Sequence, residues 1–404
     1  MKHLILGFGA AGANAAETIR RLDDQAEITV LSGEARSFYL RLDLEGIFFG
    51  KSAADLMPRS PAYWNEKRIA VLHDPAQTVD TARREVIAAS GRVVPYDMLL
   101  IATGASPRVL DLPGRELAGV FSYHTLDDAE RISAMRERAR RVVIIGGGIL
   151  ALEMARVAVH FGWHTTLLVR RNHIGSPIVD ASGGAFVLEA LRRAAVNVIF
   201  EDEVAAFEGE NGKLRAVRTR GGLTLRTDMT VTCVGVVPSV SFLEGSVVLT
   251  NRRLIVNPRM QAPAPDVYAA GDVAVVRSPD GRETACSTWN VASAQARVAA
   301  ANMCGGDAVW EEGVLYNLDY LFDQEFALIG KWDRRHEPGY VVHETSGGNS
   351  YRALVTRDGV LEGALLLGDR GADRRVRKLI AARARVENRI ESVFDSSVPV
   401  EAFK

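Results

Sequence analysis

One order of elements occurs twice in this chain, and this repeat restricts the possible fold more than any other feature. Near the N-terminus, an apolar run from Leu4 to Leu6 leads into a glycine cluster, an alanine-rich helical pattern and a second apolar run. Beginning at Arg141, the stretch RVVIIGGGILALEMARVAVHFGWHTTLLVRRN repeats this order. Two copies of strand, glycine turn, helix and strand predict an α/β chain built around two similar βαβ modules.

The glycines of the first copy have the spacing of a dinucleotide-binding turn. Gly7 permits a tight turn, Gly9 lets the backbone approach a pyrophosphate, and Gly12 allows close packing of helix on strand. The helix that follows offers unpaired N–H groups to phosphates. Glu34, after the second strand, can accept hydrogen bonds from a ribose diol. An ordinary βαβ turn is the alternative, but the complete set of flanking features favours a nucleotide site.

A second similarity closes each module. The stretches YDMLLIATGASP and TDMTVTCVGVVPS each combine an apolar strand with a glycine turn. Residues at matching offsets are Asp97, Gly104 and Pro107 in the first stretch and Asp228, Gly235 and Pro238 in the second. Matching turns and matching closing strands indicate an internal repeat of a dinucleotide module.

The two modules differ at the end of their second strand, where the ribose of a dinucleotide would bind. The first has the acid Glu34, whereas the second has Arg170 and Arg171. An acid suits a 2′-hydroxyl, while arginine can pair with the 2′-phosphate of NADP. Solvated strand-end arginines are the alternative. The pattern favours NADP only slightly, so we leave the coenzyme of the second module as NAD(P).

Composition argues against several other classes of protein. The net charge of -1 over 404 residues disfavours bulk attraction to nucleic acid or to a membrane surface. The cysteines, Cys233, Cys286 and Cys304, lack the spacing of a metal site and indicate reduced thiols. The first strand begins at about His3, which leaves no room for a signal peptide, and no apolar run is long enough to span a bilayer. We therefore expect a soluble, cytoplasmic protein.

The segment LIVNPRMQAPAPDVYAAGDVA ends in a buried strand pattern that runs into Gly271 and Asp272. With this segment, the chain resembles the pyridine nucleotide-disulfide oxidoreductase family of flavoproteins over about residues 3 to 305. The resemblance is carried by GFGAAG with Glu34, the ATG at Ala102 to Gly104, GGGILALE, VGVVP and YAAGD. It implies two Rossmann-like domains, the first for FAD and the second for NAD(P)H, and a C-terminal α+β interface domain.

The motifs and the resemblance together give a set of candidate site residues. For FAD these are Gly7, Gly9, Ala11, Gly12, Glu34, Arg41, Thr103, Gly104, Gly271, Asp272 and Asn290. For NAD(P) these are Gly146, Gly148, Ile149, Leu150, Glu153, Arg170, Arg171 and Gly235. The resemblance also implies that a helix from about Thr288 to Met303 points its N-terminus at the flavin ring, where the helix dipole would stabilise charge on a reduced flavin.

Two residues are candidates for a catalytic role beside the flavin itself. Arg41 matches an arginine of the rubredoxin-reductase-like and nitrite-reductase-like branch of the family, whose loop reads roughly YxRPxLSK. Here Leu42 to Glu45 follow the arginine, and the proline, serine and lysine of that branch are absent. Glu153 matches a glutamate that faces the nicotinamide in many relatives, with a solvated helix residue as the alternative.

The disulfide reductases of the family carry a CxxxxC pair or a single cysteine just after the first module, and this chain has no cysteine before Cys233. A thiol-based mechanism is therefore disfavoured, although Cys286, before the helix implied to lie near the flavin, stays a minor candidate. The remaining route is hydride transfer between nicotinamide and flavin, with electrons passing to an iron–sulfur or rubredoxin-type carrier. The alternatives are an NAD(P)H oxidase, a peroxide or small-disulfide reductase, and a non-catalytic FAD-binding subunit.

The predicted domains are an FAD domain formed by residues 1–113 and 240–308, an NAD(P) domain formed by residues 114–239, and an interface domain formed by residues 309–404. The last contains apolar stretches that predict antiparallel strands, followed by an amphipathic helix over DRRVRKLIAARARVENRIESVF. Basic residues on its outer face are Arg374, Arg375, Arg377, Lys378, Arg383 and Arg385. They indicate either a solvated face or a docking patch for an acidic electron-transfer protein, and such a patch would suit the flavoprotein subunit of a larger redox complex.

Overall fold

The computed structural model describes residues 1–176, 178–245, 249–250, 253–285 and 288–403. By its internal contacts the chain divides into two units. The first unit consists of Met1–Arg108, His124–Ala129 and Val236–Glu311, and the second of Val109–Tyr123, Glu130–Gly235 and Glu312–Lys404. The domain boundaries expected after residues 113, 239 and 308 stay a prediction.

Residues 1 to 108 supply most of a parallel sheet and a small antiparallel meander. The elements are β1 (Lys2–Leu6), α1 (Ala10–Leu22), β2 (Glu27–Leu31), α2 (Pro61–Glu66), β3 (Ile69–Leu72), β4 (Ala76–Asp80), β5 (Glu85–Ala88), β6 (Val93–Pro95), β7 (Met98–Ile101) and β8 (Ala105–Pro107), with 3₁₀ turns at Arg41–Phe49 and Ala53–Leu56. The strand β3 directly precedes the meander in the chain but pairs in parallel with β2, where Ile69 is buried.

Residues 109 to 235 repeat this architecture. They belong to the second unit except for His124–Ala129, which include the start of the first helix in this range and belong to the first unit. The elements are β9 (Val120–Ser122), α3 (Leu126–Ser133), β10 (Arg141–Ile145), α4 (Ile149–His160), β11 (His164–Val169), α5 (Ala181–Arg193), β12 (Asn197–Phe200), β13 (Val204–Glu210), β14 (Lys213–Thr219), β15 (Thr224–Arg226) and β16 (Met229–Thr232). The strand order β12-β11-β10-β16-β9 forms one parallel sheet, and β13, β14 and β15 form an antiparallel sheet. The expected second βαβ module is therefore present.

Residues 236 to 311 complete the first unit. The elements are β17 (Val236–Pro238), β18 (Leu249–Thr250), β19 (Arg253–Val256), β20 (Val267–Ala269), β21 (Ala274–Arg277), β22 (Glu283–Ala285) and α6 (Trp289–Met303). The sheet order is β20-β7-β1-β2-β3, so β20 is the strand that completes the parallel sheet begun near the N-terminus. Its central apolar residues are buried on both faces, as parallel sheets require. Alanine-rich surfaces let α6 pack closely on α1.

The C-terminal part of the second unit is an antiparallel sheet with one main helix. The elements are β23 (Tyr316–Leu321), β24 (Gln324–Gly330), β25 (Tyr340–Gly347), β26 (Ser350–Arg357), β27 (Val360–Leu367) and α7 (Asp373–Ala381), with strand order β23-β24-β27-β26-β25. The predicted long amphipathic helix is wrong beyond Ala381. Arg383 adopts a φ of 53°, and Ala384 and Val386 are buried at alternate positions, because this stretch runs extended beside the start of β27.

In the part of the chain that the structure describes, no helix has the length and apolar character needed to cross a membrane.

Candidate active site

In the first glycine turn, one glycine has space for a Cβ atom and two do not. A Cβ atom on Gly7 would lie 2.3 Å from the carbonyl oxygen of Ala102, and one on Gly12 would lie 2.0 Å from that of Gly7. A Cβ on Gly9 would meet nothing within 4 Å. Gly9 is also the N-cap of α1 and supplies no side chain to its N–H groups. The turn therefore presents free helix N–H donors beside a clear approach for a phosphate.

An open cleft of about 610 Å³ lies in front of this turn within the first unit. Its lining includes most residues predicted to bind FAD, namely Gly7, Gly9, Ala11, Glu34, Arg41, Thr103, Gly104, Gly271 and Asp272. Gly12 lies behind the turn, and Thr288 and Trp289 rather than Asn290 line the cleft at the start of α6. The role predicted for Asn290, an exposed residue, stays a prediction.

Glu34 is held by two residues of the loop that follows it. One carboxylate oxygen accepts a hydrogen bond from the Tyr39 hydroxyl at 2.6 Å, and the other from Arg41 Nη2 at 2.5 Å. Tyr39 also accepts the Leu126 N–H at 3.1 Å, and Arg41 donates to the carbonyl oxygen of His124. Burial raises the pKa of the Tyr39 hydroxyl, so this group remains a donor. These contacts fix the direction of the Glu34 carboxylate at the rim of the cleft.

His124 lines the same cleft in a setting that keeps its imidazole neutral. Burial, reinforced by repulsion from Arg41, lowers the pKa of His124 to about 4. Its Nε2 atom lies 3.0 Å from the carbonyl oxygen of Ala105, which fits a neutral ring that donates from Nε2. No local sequence pattern identifies this residue, because its partners lie 83 and 19 positions away.

The turn at Gly271 and Asp272 is fixed from below by Gln295. Gly271 has a φ of +84° and donates its N–H to Gln295 Oε1 at 3.0 Å. Gln295 is fully buried on α6, and its Nε2 atom has no hydrogen-bond partner among the described residues. The same helix begins at Thr288, whose hydroxyl accepts the Val291 N–H at 3.4 Å. In the sequence Gln295 lies within an alanine-rich helical pattern. The only signal for its role is that it is a polar residue on the buried face of that helix.

The second glycine turn, in the second unit, repeats the geometry of the first. Gly146 has a φ of +134°, and a Cβ there would lie 2.3 Å from the carbonyl oxygen of Cys233. Gly148 is the N-cap of α4, and a Cβ on it would meet nothing within 4 Å. The end of β11 lies directly beside the turn, since a Cβ on Gly147 would come within 2.8 Å of Val169. This turn also offers an open approach and free helix N–H donors to a pyrophosphate.

Glu153 lies one turn into α4 and is oriented by a residue that the sequence did not identify. The Tyr123 hydroxyl donates to Glu153 Oε1 at 2.5 Å, and Tyr123 itself is buried. Tyr123 follows β9 and Cys233 follows β16, so both lie at the carboxyl edge of the parallel sheet, where α/β proteins bind ligands. A solvated position for Glu153 does not agree with this contact.

The second unit also positions the two arginines predicted for the coenzyme ribose. Both Arg170 and Arg171 are exposed and follow β11. Arg170 Nε lies 3.5 Å from Glu203 Oε1, so the structure adds an acid that the sequence pattern did not predict. The roles of Ile149, Leu150 and Gly235 in coenzyme binding stay a prediction.

The described cysteines are poor candidates for redox work. Cys233 and Cys304 are both free thiols. Burial, with the nearby Glu153 carboxylate, raises the pKa of Cys233, and burial also raises the pKa of Cys304. A raised thiol pKa lowers the fraction of reactive thiolate. Cys286 lies outside the described residues. Among the described residues, no group of three or more His, Cys, Asp or Glu side chains is arranged to hold a metal ion.

The cleft of the first unit fits FAD by its own geometry. The clear approach at Gly9 and the free N–H groups of α1 suit a pyrophosphate, and the fixed Glu34 carboxylate suits a ribose diol. Two Rossmann-like modules, one with this cleft and one with a second open glycine turn, define an FAD-dependent NAD(P)H oxidoreductase.

The chain belongs to the pyridine nucleotide-disulphide oxidoreductase family, which matches residues 1–296. The chain is 26% identical to NADH-rubredoxin oxidoreductase of Clostridium acetobutylicum over 390 residues, which cover 96% of each protein. It is 27% identical to NAD(P)H nitrite reductase of Bacillus subtilis over 388 residues, covering 95% of this chain but only 48% of that protein. Among solved structures, a ferredoxin reductase from Rhodopseudomonas palustris matches with a TM-score of 0.90, 24% identity and complete coverage of both chains. The predicted family and fold class are confirmed.

Proposed function

We propose that this enzyme moves electrons between NAD(P)H and a separate iron–sulfur or rubredoxin-type carrier. One observation carries the proposal: the similarity to NADH-rubredoxin oxidoreductase extends over 96% of both proteins. The raised pKa values of Cys233 and Cys304 support it, because they disfavour a thiol-based route through either residue. The match to about half of a nitrite reductase supports a role as the flavoprotein part of a larger redox system. We also propose a cytoplasmic location, which the sparse cysteines support.

The two units would each bind one nucleotide. In the first unit, the turn at Gly7 to Gly12 would hold the FAD pyrophosphate, and Glu34 would hold the adenosine ribose. When bound, FAD accepts two electrons from a nicotinamide and can release them one at a time. In the second unit, the turn at Gly146 to Gly148 would bind the coenzyme pyrophosphate, and Glu153 would contact its nicotinamide end.

Several residues prepare these sites without taking part in bond making. Arg41 and Tyr39 orient the Glu34 carboxylate, and Tyr123 orients Glu153. The N-terminus of α6, capped by Thr288, lies at the cleft and places a positive dipole end there. His124 stays neutral at neutral pH and so adds no second cation beside Arg41.

An anaerobic titration tests the proposal. The FAD-loaded protein is titrated with NADH and with NADPH, and flavin bleaching is followed near 450 nm. A rubredoxin or a [2Fe–2S] ferredoxin is then added, and re-oxidation of the flavin is timed against the same mixture without carrier. We expect bleaching by at least one coenzyme and re-oxidation by a carrier. Bleaching that only oxygen, peroxide or a small disulfide reverses would refute the carrier assignment, and a flavin that neither coenzyme bleaches would refute the catalytic role.

A further inference from the structure

Glu203 lies between two arginines in the connection from β12 to β13. Its Oε1 atom is 3.5 Å from Arg170 Nε, and its Oε2 atom is 3.4 Å from Arg220 Nη1. The Glu203 side chain is 34% exposed, whereas those of Arg170 and Arg220 are 71% and 67% exposed. The carboxylate is therefore the more fixed member of this group, and the two cations are reachable from solvent.

The local backbone explains why Glu203 is adjacent to Arg170. Strands β11 and β12 pair in parallel, with Val169 opposite Phe200, so the residues after each strand emerge side by side. The Arg220 N–H donates to the carbonyl oxygen of Glu203 at 2.7 Å, which brings the β14–β15 turn to the same edge. Val169 in turn lies against Gly147 of the second glycine turn. The group thus lies where the proposed coenzyme would place its adenosine ribose.

The charges at this edge are balanced. The segments that meet here carry three cations, Arg170, Arg171 and Arg220, and three acids, Glu201, Asp202 and Glu203, which gives a formal sum of zero. Asp202 accepts the N–H groups of Glu203 and Gly221 at 2.8 and 2.9 Å, so its charge is partly met by backbone. Glu203 forms ion pairs with two of the arginines, Arg170 and Arg220.

This arrangement would affect the binding of a 2′-phosphate and of a 2′-hydroxyl differently. A phosphate with a charge near −2 can draw Arg170 away from Glu203, because an exposed ion pair is weak and an arginine–phosphate contact is strong. The Glu203 carboxylate would nevertheless remain beside the phosphate, held by Arg220, and like charges at this range repel. The neutral hydroxyl of NADH meets no such repulsion.

We propose that Glu203 is a specificity-determining residue that offsets the preference of Arg170 for the 2′-phosphate of NADPH and keeps the affinities for NADH and NADPH close. The inference rests on the proposed coenzyme site of the second unit. It assigns coenzyme selectivity to the balance between one acid and two arginines rather than to the arginines alone.

The test compares coenzyme affinities in the FAD-loaded protein. Dissociation constants for NADP⁺ and NAD⁺, which bind without reducing the flavin, are measured for the wild type, Glu203→Gln and the control Glu208→Gln. Glu208 lies on the neighbouring β13 and pairs with Arg218 at 2.9 Å, so the control removes an equivalent exposed pair away from the turn. We expect Glu203→Gln to tighten NADP⁺ binding about tenfold with less than a twofold change for NAD⁺, and Glu208→Gln to change neither.

Two further measurements separate the possible failures. Arg220→Gln should weaken NADP⁺ binding relative to NAD⁺, because Glu203 then pairs with Arg170 alone, and the effect of Glu203→Gln should shrink at 0.5 M salt. An unchanged affinity ratio in both variants, with both coenzymes bound, would overturn the role of Glu203 and leave the proposed function intact. Failure of the wild type to bind either coenzyme would instead overturn the coenzyme site itself, and the inference with it.

Discussion

The Tyr123 hydroxyl donates a hydrogen bond to Glu153 at 2.5 Å and orients the only acid of helix α4 beside the second glycine turn. Tyr123→Phe removes this donor and leaves the carboxylate less well directed toward a nicotinamide. A hydrogen bond to a charged group contributes about 1.5–3 kcal/mol, so we expect NAD(P)H to bind roughly tenfold more weakly while FAD content stays unchanged. Stopped-flow reduction of the flavin over a range of NADH and NADPH concentrations measures the effect.

Tyr96 provides the matched control for that experiment. In the part of the chain that the structure describes, its hydroxyl is buried without a hydrogen-bond partner, and burial raises its pKa to about 12. Tyr96→Phe should leave coenzyme binding unchanged and should keep or raise the free energy of unfolding, since an unsatisfied buried hydroxyl is removed. Equal losses of coenzyme affinity in Tyr96→Phe and Tyr123→Phe would remove the specific role of Tyr123.

Gly9 and Gly148 allow the two nucleotide sites to be blocked separately. Both have negative φ values, −87° and −88°, and a Cβ on either would meet no atom of the described residues within 4 Å. Alanine at either position should therefore leave the melting temperature within a few degrees of wild type while obstructing a pyrophosphate. We expect Gly9→Ala to lose FAD, and Gly148→Ala to keep FAD but lose NAD(P)H binding.

Gly12→Ala is the contrasting variant, because its Cβ would lie 2.0 Å from the carbonyl oxygen of Gly7 and should destabilise the fold itself. Flavin absorbance after desalting, coenzyme titration and thermal unfolding together distinguish the three variants. Full retention of FAD by Gly9→Ala would contradict the assignment of the first turn to the pyrophosphate.

Gln295 can be tested by changing its hydrogen-bonding atoms while keeping its shape. Gln295→Met removes the acceptor of the Gly271 N–H, whereas Gln295→Glu retains an acceptor oxygen. If Gln295 positions the turn that carries Asp272, the methionine variant should bind FAD about tenfold more weakly, and the glutamate variant should recover affinity as pH falls and its buried carboxyl becomes neutral. Apoprotein titration with FAD at pH 5.5 and 7.5 supplies the comparison. Similar affinities for both variants at both pH values would show that the contact has no positioning role.

His124 predicts a loss of stability on acidification. Its pKa is lowered by burial and by Arg41 to about 4 in the folded protein, from an ordinary value of 6.5. The unfolded chain therefore binds a proton more readily between pH 6.5 and 4, so this contribution to stability is present above pH 6.5 and is lost progressively as pH falls through that window. His124→Gln should flatten this part of the pH profile of the free energy of unfolding. Because His3 has a lowered pKa too, the informative quantity is the difference between variant and wild type at each pH. Parallel profiles would argue against the neutral state of His124.

The basic helix α7 contains two kinds of arginine. Arg375 Nε donates to the Val393 carbonyl oxygen at 2.7 Å and joins α7 to the segment after it, while Arg377 pairs with Asp373 at 2.8 Å within the helix. Arg374 and Lys378 are exposed. Reversing the charge of Arg374 and Lys378 should slow reduction of an acidic carrier several-fold at low salt and little at high salt, without changing the melting temperature. Arg375→Ala should instead lower the melting temperature. Carrier reduction that is unaffected by the double reversal would assign these residues to a solvated face.

The two modules could be predicted because apolar strands and glycine turns are recognisable from short contiguous stretches of sequence. The pairing of β3 with β2 is not encoded in adjacent residues, because it depends on burial across the sheet. The helix that begins at Asp373 was predicted to be too long, because its alanines and arginines have high helix propensity. Beyond Ala381 the chain is instead extended, and this conformation buries Ala384 and Val386.

The residues that support the site could not be predicted in the same way. Gln295, Tyr123 and Glu203 act through partners 24, 30 and 33 residues away, the last distance being that from Glu203 to Arg170. No local motif encodes such pairs, and each depends on how strands and helices end at a common edge. The nucleotide-binding turns were thus predictable from sequence, whereas the groups that orient their polar partners were not.

The short strands β8 and β17 pair antiparallel, with Ala105 opposite Pro238 and Pro107 opposite Val236. The chain therefore leaves the first unit and re-enters it at neighbouring points, which would ordinarily make residues 109–235 an exchangeable cassette. This segment is not independent, however, because its residues His124–Ala129 belong to the first unit. There the Leu126 N–H donates a hydrogen bond to the Tyr39 hydroxyl. A graft that replaced residues 109–235 with the corresponding module of another protein would have to keep those six residues, or it would also disrupt the cleft of the first unit.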